Sequence, residues 1–198
     1  MKSNDGKRQR ILKKIGSTAK SITIGILDLL LCSAENMLKA SCDKKHAYKL
    51  AYGYVENEWT TERLFGFFND LRRNGYIEIK AKGSQESVVL TDKARIALIE
   101  QISSRLETDG KFRYVSFDIP EPERTKRDGF RRAIKKMGFK QVQKSLWVTN
   151  KNVGDLVSLA AKKFKVEEYV AYIVSERSDI DKYIAELLAK KRVNEPKI

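Results

Sequence analysis

The chain holds one histidine, two cysteines and three prolines in 198 residues. Cys32 and Cys42 lie ten positions apart with no second pair, and His46 is the sole imidazole, so no zinc-ligand spacing exists. Two cysteines without a framework read as reduced thiols of a cytosolic protein, with one disulfide between them as the alternative. No apolar run is long enough to cross a bilayer. The nearest, ITIGILDLLLC at Ile22–Cys32, follows a basic tail as a signal peptide would, but Asp28 interrupts it. A helix packed in a domain core is expected there, in a cytoplasmic protein with no membrane partner. Internal repeats are also lacking.

Acidic residues are outnumbered, 26 against 40 lysines and arginines, for a net charge of +14. Such a balance points to a polyanion partner and says nothing of the fold. The excess is concentrated. Residues 1–20 carry seven basic residues and one acid, and residues 111–151 carry twelve and four, whereas 21–110 are close to neutral. In the tail, 1–16, Lys7, Arg8, Arg10, Lys13 and Lys14 suit phosphate contacts by counterion release, or serve only solubility. The apolar fraction of 41% is enough for real cores.

Periodicity divides the rest into two domains, 17–106 and 111–176, with a helix and tail at 177–198. Ser17 or Thr18 caps a first helix with Ile22, Ile26, Leu29 and Leu30 on its apolar face. A second helix is expected at 44–54. A third starts at Thr60 or Thr61, buries Leu64, Phe67, Phe68 and Leu71, and stops at Asn74-Gly75. YIEIKA and ESVVLT form a hairpin around Lys82-Gly83-Ser84. LTDKARIALIEQI returns to helix with Thr91 as cap. This is the order of a winged helix-turn-helix. Such a domain sets its third helix in the major groove and its wing on the flanking backbone. The candidates for duplex DNA are Thr60, Thr61, Arg63, Arg72 and Arg73 on that helix and Lys80 and Lys82 in the wing. A solvated interaction face is the alternative.

Near LETDGK, 106–111, the period switches and Asp109-Gly110 punctuates. Arg113–Ile119 alternates as a strand, with Tyr114, Ser116 and Asp118 on one face and Val115, Phe117 and Ile119 on the other. A helix over 122–137, strands at 139–143 and 145–149, a helix at 152–164 and the strand EYVAYIVSE complete a ferredoxin-like βαββαβ order. The fold class is therefore α+β. A last amphipathic helix, 178–192, offers Ile180, Tyr183, Leu187 and Leu188 for docking. On the 122–137 helix, Arg124, Arg127, Arg131 and Lys135 share a narrow sector, with Arg132 and Lys136 beside it and only Asp128 as a nearby acid. Phe130, Ala133, Ile134 and Met137 form its apolar face. The ridge is either a phosphate-contacting surface or a solvated one.

The stretch RYVSFDIPEPERTKRDGFRRAIKKMGFKQVQKSLWV closely resembles the central domain of PaaX-type transcriptional repressors. The matching residues include VSFDIP, Arg124, Arg127-Asp128, Arg131, Gly138-Phe139, Gln143, Ser145 and Trp147. That domain is related to the second universal CRISPR-associated protein, Cas-two, a small ferredoxin-like nuclease and integration factor. The resemblance is sharp over 113–148, and PaaX proteins also carry an N-terminal winged helix. It implies a regulator that dimerises through the Cas-two-like domain on an inverted-repeat operator. PaaX proteins run on into a further C-terminal region that these 198 residues lack for the most part, so an effector response is not implied.

In Cas-two nucleases an acid at the end of the first strand holds a divalent metal. Carried over, this makes Asp118 a catalytic and metal-binding carboxylate for Mg2+, with Glu121 and Glu123 as helpers. The alternative is that Asp118 caps the following turn or helix. The two function classes are thus a DNA-binding regulator without cofactor and a metal-dependent endonuclease or CRISPR adaptation factor. A nucleic-acid binder without sequence preference is a third.

Overall fold

The computed structural model describes residues 19–33, 41–55, 59–177 and 179–189. The basic tail and the Ser17 or Thr18 cap lie outside the described residues. The chain divides into two compact units, Met1–Leu98 and Ile99–Ile198.

The first unit opens with α1, Ala19–Ser33. Ile26, Leu27, Leu30 and Leu31 are buried, which is the core packing expected of this run. Asp28 is buried too, and it faces Tyr54, whose phenol pKa is raised by burial and then by that carboxylate. No helix among the described residues is long and apolar enough to cross a membrane. Next come β1 (Ser41–Asp43), α2 (Lys44–Tyr54) and α3 (Thr61–Arg73). Asp43 caps α2 by accepting the His46 N–H at 2.9 Å. Thr60 caps α3 by accepting the Arg63 N–H at 3.3 Å. Glu62 in the first turn and Arg72 and Arg73 in the last complement the helix dipole. Asn74 ends α3, and Gly75 follows at φ +69°, where a side chain would be strained.

The hairpin β2 (Ile77–Lys82) and β3 (Gln85–Leu90) turns at Gly83-Ser84. β1 adds to its far side, Cys42 opposite Val88, for an antiparallel order β1-β3-β2. Thr91 caps α4 (Asp92–Ala97) by accepting the Ala94 N–H, and its hydroxyl donates to the Gly75 carbonyl at 2.6 Å. The helix expected to run on from there instead breaks at Leu98, which is fully buried, and resumes as α5 (Ile99–Arg105).

In the second unit β4 (Thr108–Phe117) is followed by a 3-10 turn at Glu121–Glu123 and α6 (Arg124–Lys136). Then come β5 (Lys140–Gln141), β6 (Leu146–Lys151), α7 (Gly154–Phe164), β7 (Val170–Ser175) and α8 (Asp181–Ala189). The sheet order is β5-β6-β4-β7, every neighbour antiparallel. Val115, Phe117 and Trp147 share one face and are buried with Phe130, Ala133, Ile134, Leu156 and Val157 of α6 and α7. Phe117 meets Phe130 edge-on at 5.4 Å. Gly129 lets α7 approach, because a Cβ there would intrude on the Phe164 ring.

The opposite face is covered as well. Tyr114 and Val148 bury Ile184 of α8, with Leu187 and Leu188 packed around them. This corrects the docking set. Leu187 and Leu188 dock, but Ile180 precedes the helix and Tyr183 points away, at 42% and 51% exposure, while Ile184 is the anchor.

Asp109-Gly110 is a second correction, since the pair lies inside β4 and punctuates nothing. The β4–β6 register shifts between Thr108 and Arg113, and Gly110 takes φ +77° there. The shift brings both Asp109 carboxylate oxygens onto the guanidinium of Arg113, which is buried and also donates to the Lys111 carbonyl at 2.9 Å. The hydrogen bonds from Arg113 hold the Asp109 carboxyl well below the usual carboxylate range. A lowered folded-state pKa contributes stability above the unfolded value, near 3.8, and the contribution fades as pH falls further. Asp109→Asn should therefore lower the melting temperature most above about pH 4. The gap to the native chain should close in more acidic buffer, as thermal unfolding against pH would record.

Candidate nucleic-acid interface

The face of α3 that meets solvent follows from the face that does not. Leu64, Phe68 and Leu71 are buried, so at 100° per residue Glu62, Gly66, Asn69 and Arg73 point the other way, and all are exposed. Arg63 flanks this face with its guanidinium 4.6 Å from the Trp59 ring centroid. Arg73 donates to Asp70 at 2.6 Å. Arg72 turns to the other flank, toward Lys44 and Tyr48 of α2. Thr60 is occupied as cap, and Thr61 is the exposed first residue of the helix. Phe67, expected in the core, is half-exposed and packs edge-on against Trp59 at 5.2 Å.

In the hairpin Lys80 lies 3.7 Å from Glu78, and Lys82 is exposed beside the turn. Lys44 of α2 donates to Glu86 of β3 at 2.7 Å, which ties the hairpin to the helices. A groove of about 760 Å³ adjoins that bridge, floored by Tyr48 and the exposed Phe65. Asn69, Gly66 and Phe65 were not singled out in the sequence, although the same 100° construction that places Arg73 also places them. Gly66 has open space where its Cβ would be.

In the second unit α6 carries its basic residues outward, but they are not alike. Glu121 takes Arg127 at 2.8 Å and stands 3.9 Å from Arg124, which is also 4.0 Å from Asp128. Arg127 donates to the Ile119 carbonyl at 3.3 Å as well. The N-terminal half of the ridge is thus balanced by an acid that sequence spacing did not assign to it. The C-terminal half is different. Arg131 reaches Gln141 at 3.3 Å and lies 5.4 Å from the Trp147 ring centroid, and Lys135 lies 5.8 Å from the same ring. Arg132 and Lys136 are exposed with no ion-pair partner among the described residues. Lys144, on the β5–β6 turn, is exposed, and its carbonyl accepts from Gln141 at 3.4 Å.

Asp118 stands just beyond β4, exposed. Its backbone N–H donates to the Tyr169 carbonyl at 3.2 Å. The capping role does not hold. Pro120 and Glu123 occupy the two cap positions, and neither helix start has a side-chain cap bond. Among the described residues the Asp118 carboxylate has no hydrogen-bond or ion-pair partner. The expected helpers are committed elsewhere, Glu121 to arginines and Glu123 to Lys126 at 2.7 Å. No group of three His, Cys, Asp or Glu residues that could hold a metal exists among the described residues. Among the described residues one chain therefore offers Mg2+ a lone carboxylate at Asp118, which does not make a metal site by itself.

No curated protein matches the chain. Residues 105–186, from the end of α5 into α8 and including Asp118 and the whole basic helix, match the family model described as the PaaX protein central Cas2-like domain, which supports a PaaX-type protein.

Proposed function

We propose that the chain is a DNA-binding transcriptional regulator of PaaX type. In this reading the first unit is a winged helix-turn-helix that lays α3 in the major groove and the β2–β3 hairpin on the flanking backbone. The second is a ferredoxin-like, Cas-two-like domain through which two copies associate, acting in the cytoplasm on an inverted repeat. One observation carries the reading: beside a β1-β3-β2 sheet, α3 turns Gly66, Asn69 and Arg73, flanked by Arg63, to solvent, and the β2–β3 hairpin carries Lys80 and Lys82 exposed. Arginine suits guanine and asparagine suits adenine in that groove. The matched central domain supports the family, and the C-terminal half of α6 supplies further cations for phosphates.

Selection of bound duplexes from a random pool, with and without magnesium, tests it. An enriched inverted repeat is the expected outcome. No enrichment at low salt would remove the reading, and magnesium-dependent cleavage that Asp118→Ala abolishes would put a nuclease in its place.

Gly66 gives an independent check. A helix-interior glycine costs roughly 1 kcal/mol relative to alanine, and none of the described residues lies within 4 Å of where a Cβ would stand on this one. Gly66→Ala should raise the thermal stability of the first unit and yet weaken binding of the selected duplex about tenfold. Greater stability with unchanged affinity would mean that no groove approaches this face.

A further inference from the structure

β7 ends the sheet, and among the described residues no strand pairs with its outer side. Exposed edges of this kind are normally blunted by lysine, proline or a bulge. β7 has none of these, and its register against β4 runs unbroken from Phe112 opposite Ser175 to Phe117 opposite Val170. The Asp118 N–H to Tyr169 carbonyl bond fixes which residues turn inward. By alternation, Val170, Tyr172 and Val174 direct their N–H and C=O groups to the open edge. Ile173 and Val174 are each about half exposed, at 50% and 51%. Face-to-face stacking of two sheets is not open at Tyr114 and Val148, because α8 covers them.

The charges around the strand select the partner. Glu167 and Glu168 precede it and Arg177 follows it, all exposed, whereas Glu176 is held by Lys111 at 2.9 Å. A parallel neighbour of the same sequence would set like against like. An antiparallel one sets Glu167 of each copy against Arg177 of the other, while Glu168 meets a Glu176 already held by Lys111.

We infer that β7 pairs antiparallel with β7 of a second copy about a two-fold axis at Tyr172, joining the two sheets edge to edge. In that register Val170 faces Val174 of the second copy, Ile173 faces Ala171, and Glu167 faces Arg177. The inference rests on the homodimer reading above and names its surface.

Sedimentation equilibrium of the full chain tests it. The native chain should be a dimer. Val174→Lys should raise the dimer dissociation constant about 100-fold or more, since it sets a charge on the edge. Arg177→Glu should weaken the dimer, and adding Glu167→Arg should restore it. All three positions are exposed, so unchanged circular dichroism would show that the fold is intact. A dimer indifferent to Val174→Lys and Arg177→Glu overturns the edge and leaves the homodimer reading standing. Failure of Glu167→Arg to rescue overturns the register. A native chain that stays monomeric, or captures only a strand of another protein, overturns both the edge and the homodimer.

Discussion

Removing both Arg63 and Arg73, as the double alanine variant, should lower affinity for the selected duplex by at least about 100-fold, since a good bidentate arginine contact carries roughly 1–3 kcal/mol. The chain should still fold. The ion pair of Arg73 with Asp70 joins two largely exposed side chains, at 79% and 54%, and such pairs contribute little to stability. Arg63 stacks on Trp59 from outside, and Trp59 keeps its contact with Phe67. The single variants separate two roles. An arginine bound to phosphate lowers the salt slope of log K by about one when it is removed and weakens all sequences alike. One that reads a base relaxes preference at a single position of the site. Gel shifts across a salt series on matched and mismatched duplexes would record which applies. If the double variant bound as well as the native chain, α3 would not be the reading helix.

Much of this surface is legible in the sequence because it depends on local chemistry. Thr60 accepts from an N–H three residues on, and Asn74-Gly75 releases the chain into a left-handed turn, so the bounds of α3 follow from a few neighbouring residues. The order of strands and helices from β4 to α8 was legible for the same reason. What was missed depends on partners distant in sequence. Ser41–Asp43 has no periodicity of its own and becomes a strand only by pairing with Ser87–Val89. Leu98 breaks a helix with neither glycine nor proline, at the boundary of the two units. Asp109-Gly110 carries the signature of a turn, yet the buried charge of Arg113 makes it part of a strand.

The site shows the same division. Spacing alone aligned Arg124, Arg127, Arg131 and Lys135. It could not show that the 3-10 turn after Pro120 carries Glu121 back to the first two of them. This changes what the helix offers a polyanion. Phosphates would compete with Glu121 for Arg124 and Arg127, but not for Arg132 and Lys136, which have no ion-pair partner among the described residues. The productive end of the ridge is therefore its C-terminal half, near the β5–β6 turn. A helix C-terminus disfavours anions, so side-chain charge must do the attracting there, and four consecutive-turn cations supply it.

That half of the ridge stands on Trp147, and Trp147→Ala should be the most destabilising single change in the second unit. The indole is 2% exposed, opposite Val115 in β4 and Gln141 in β5. Truncating a buried tryptophan costs about 3–5 kcal/mol through lost transfer energy and the cavity left behind. For a unit of this size each kcal/mol lowers the melting temperature by roughly 4–8 °C, so a drop of about 15 °C or more is expected. Trp147→Phe should behave differently. The indole Nε1 has no hydrogen-bond partner among the described residues, so phenylalanine keeps most of the apolar volume and discards a donor that gains nothing. Its cost should be about 1 kcal/mol or less. Both substitutions remove or reduce the ring beneath Arg131 and Lys135, and phenylalanine offers a cation a weaker face than tryptophan. Denaturant unfolding followed by circular dichroism would separate the stability terms. Nonspecific duplex binding by the folded Trp147→Phe chain, slightly weaker than native and still salt-dependent, would show that the indole holds the cations in place. A Trp147→Ala chain that lost less than about 1 kcal/mol would mean that the side chain is not part of the core.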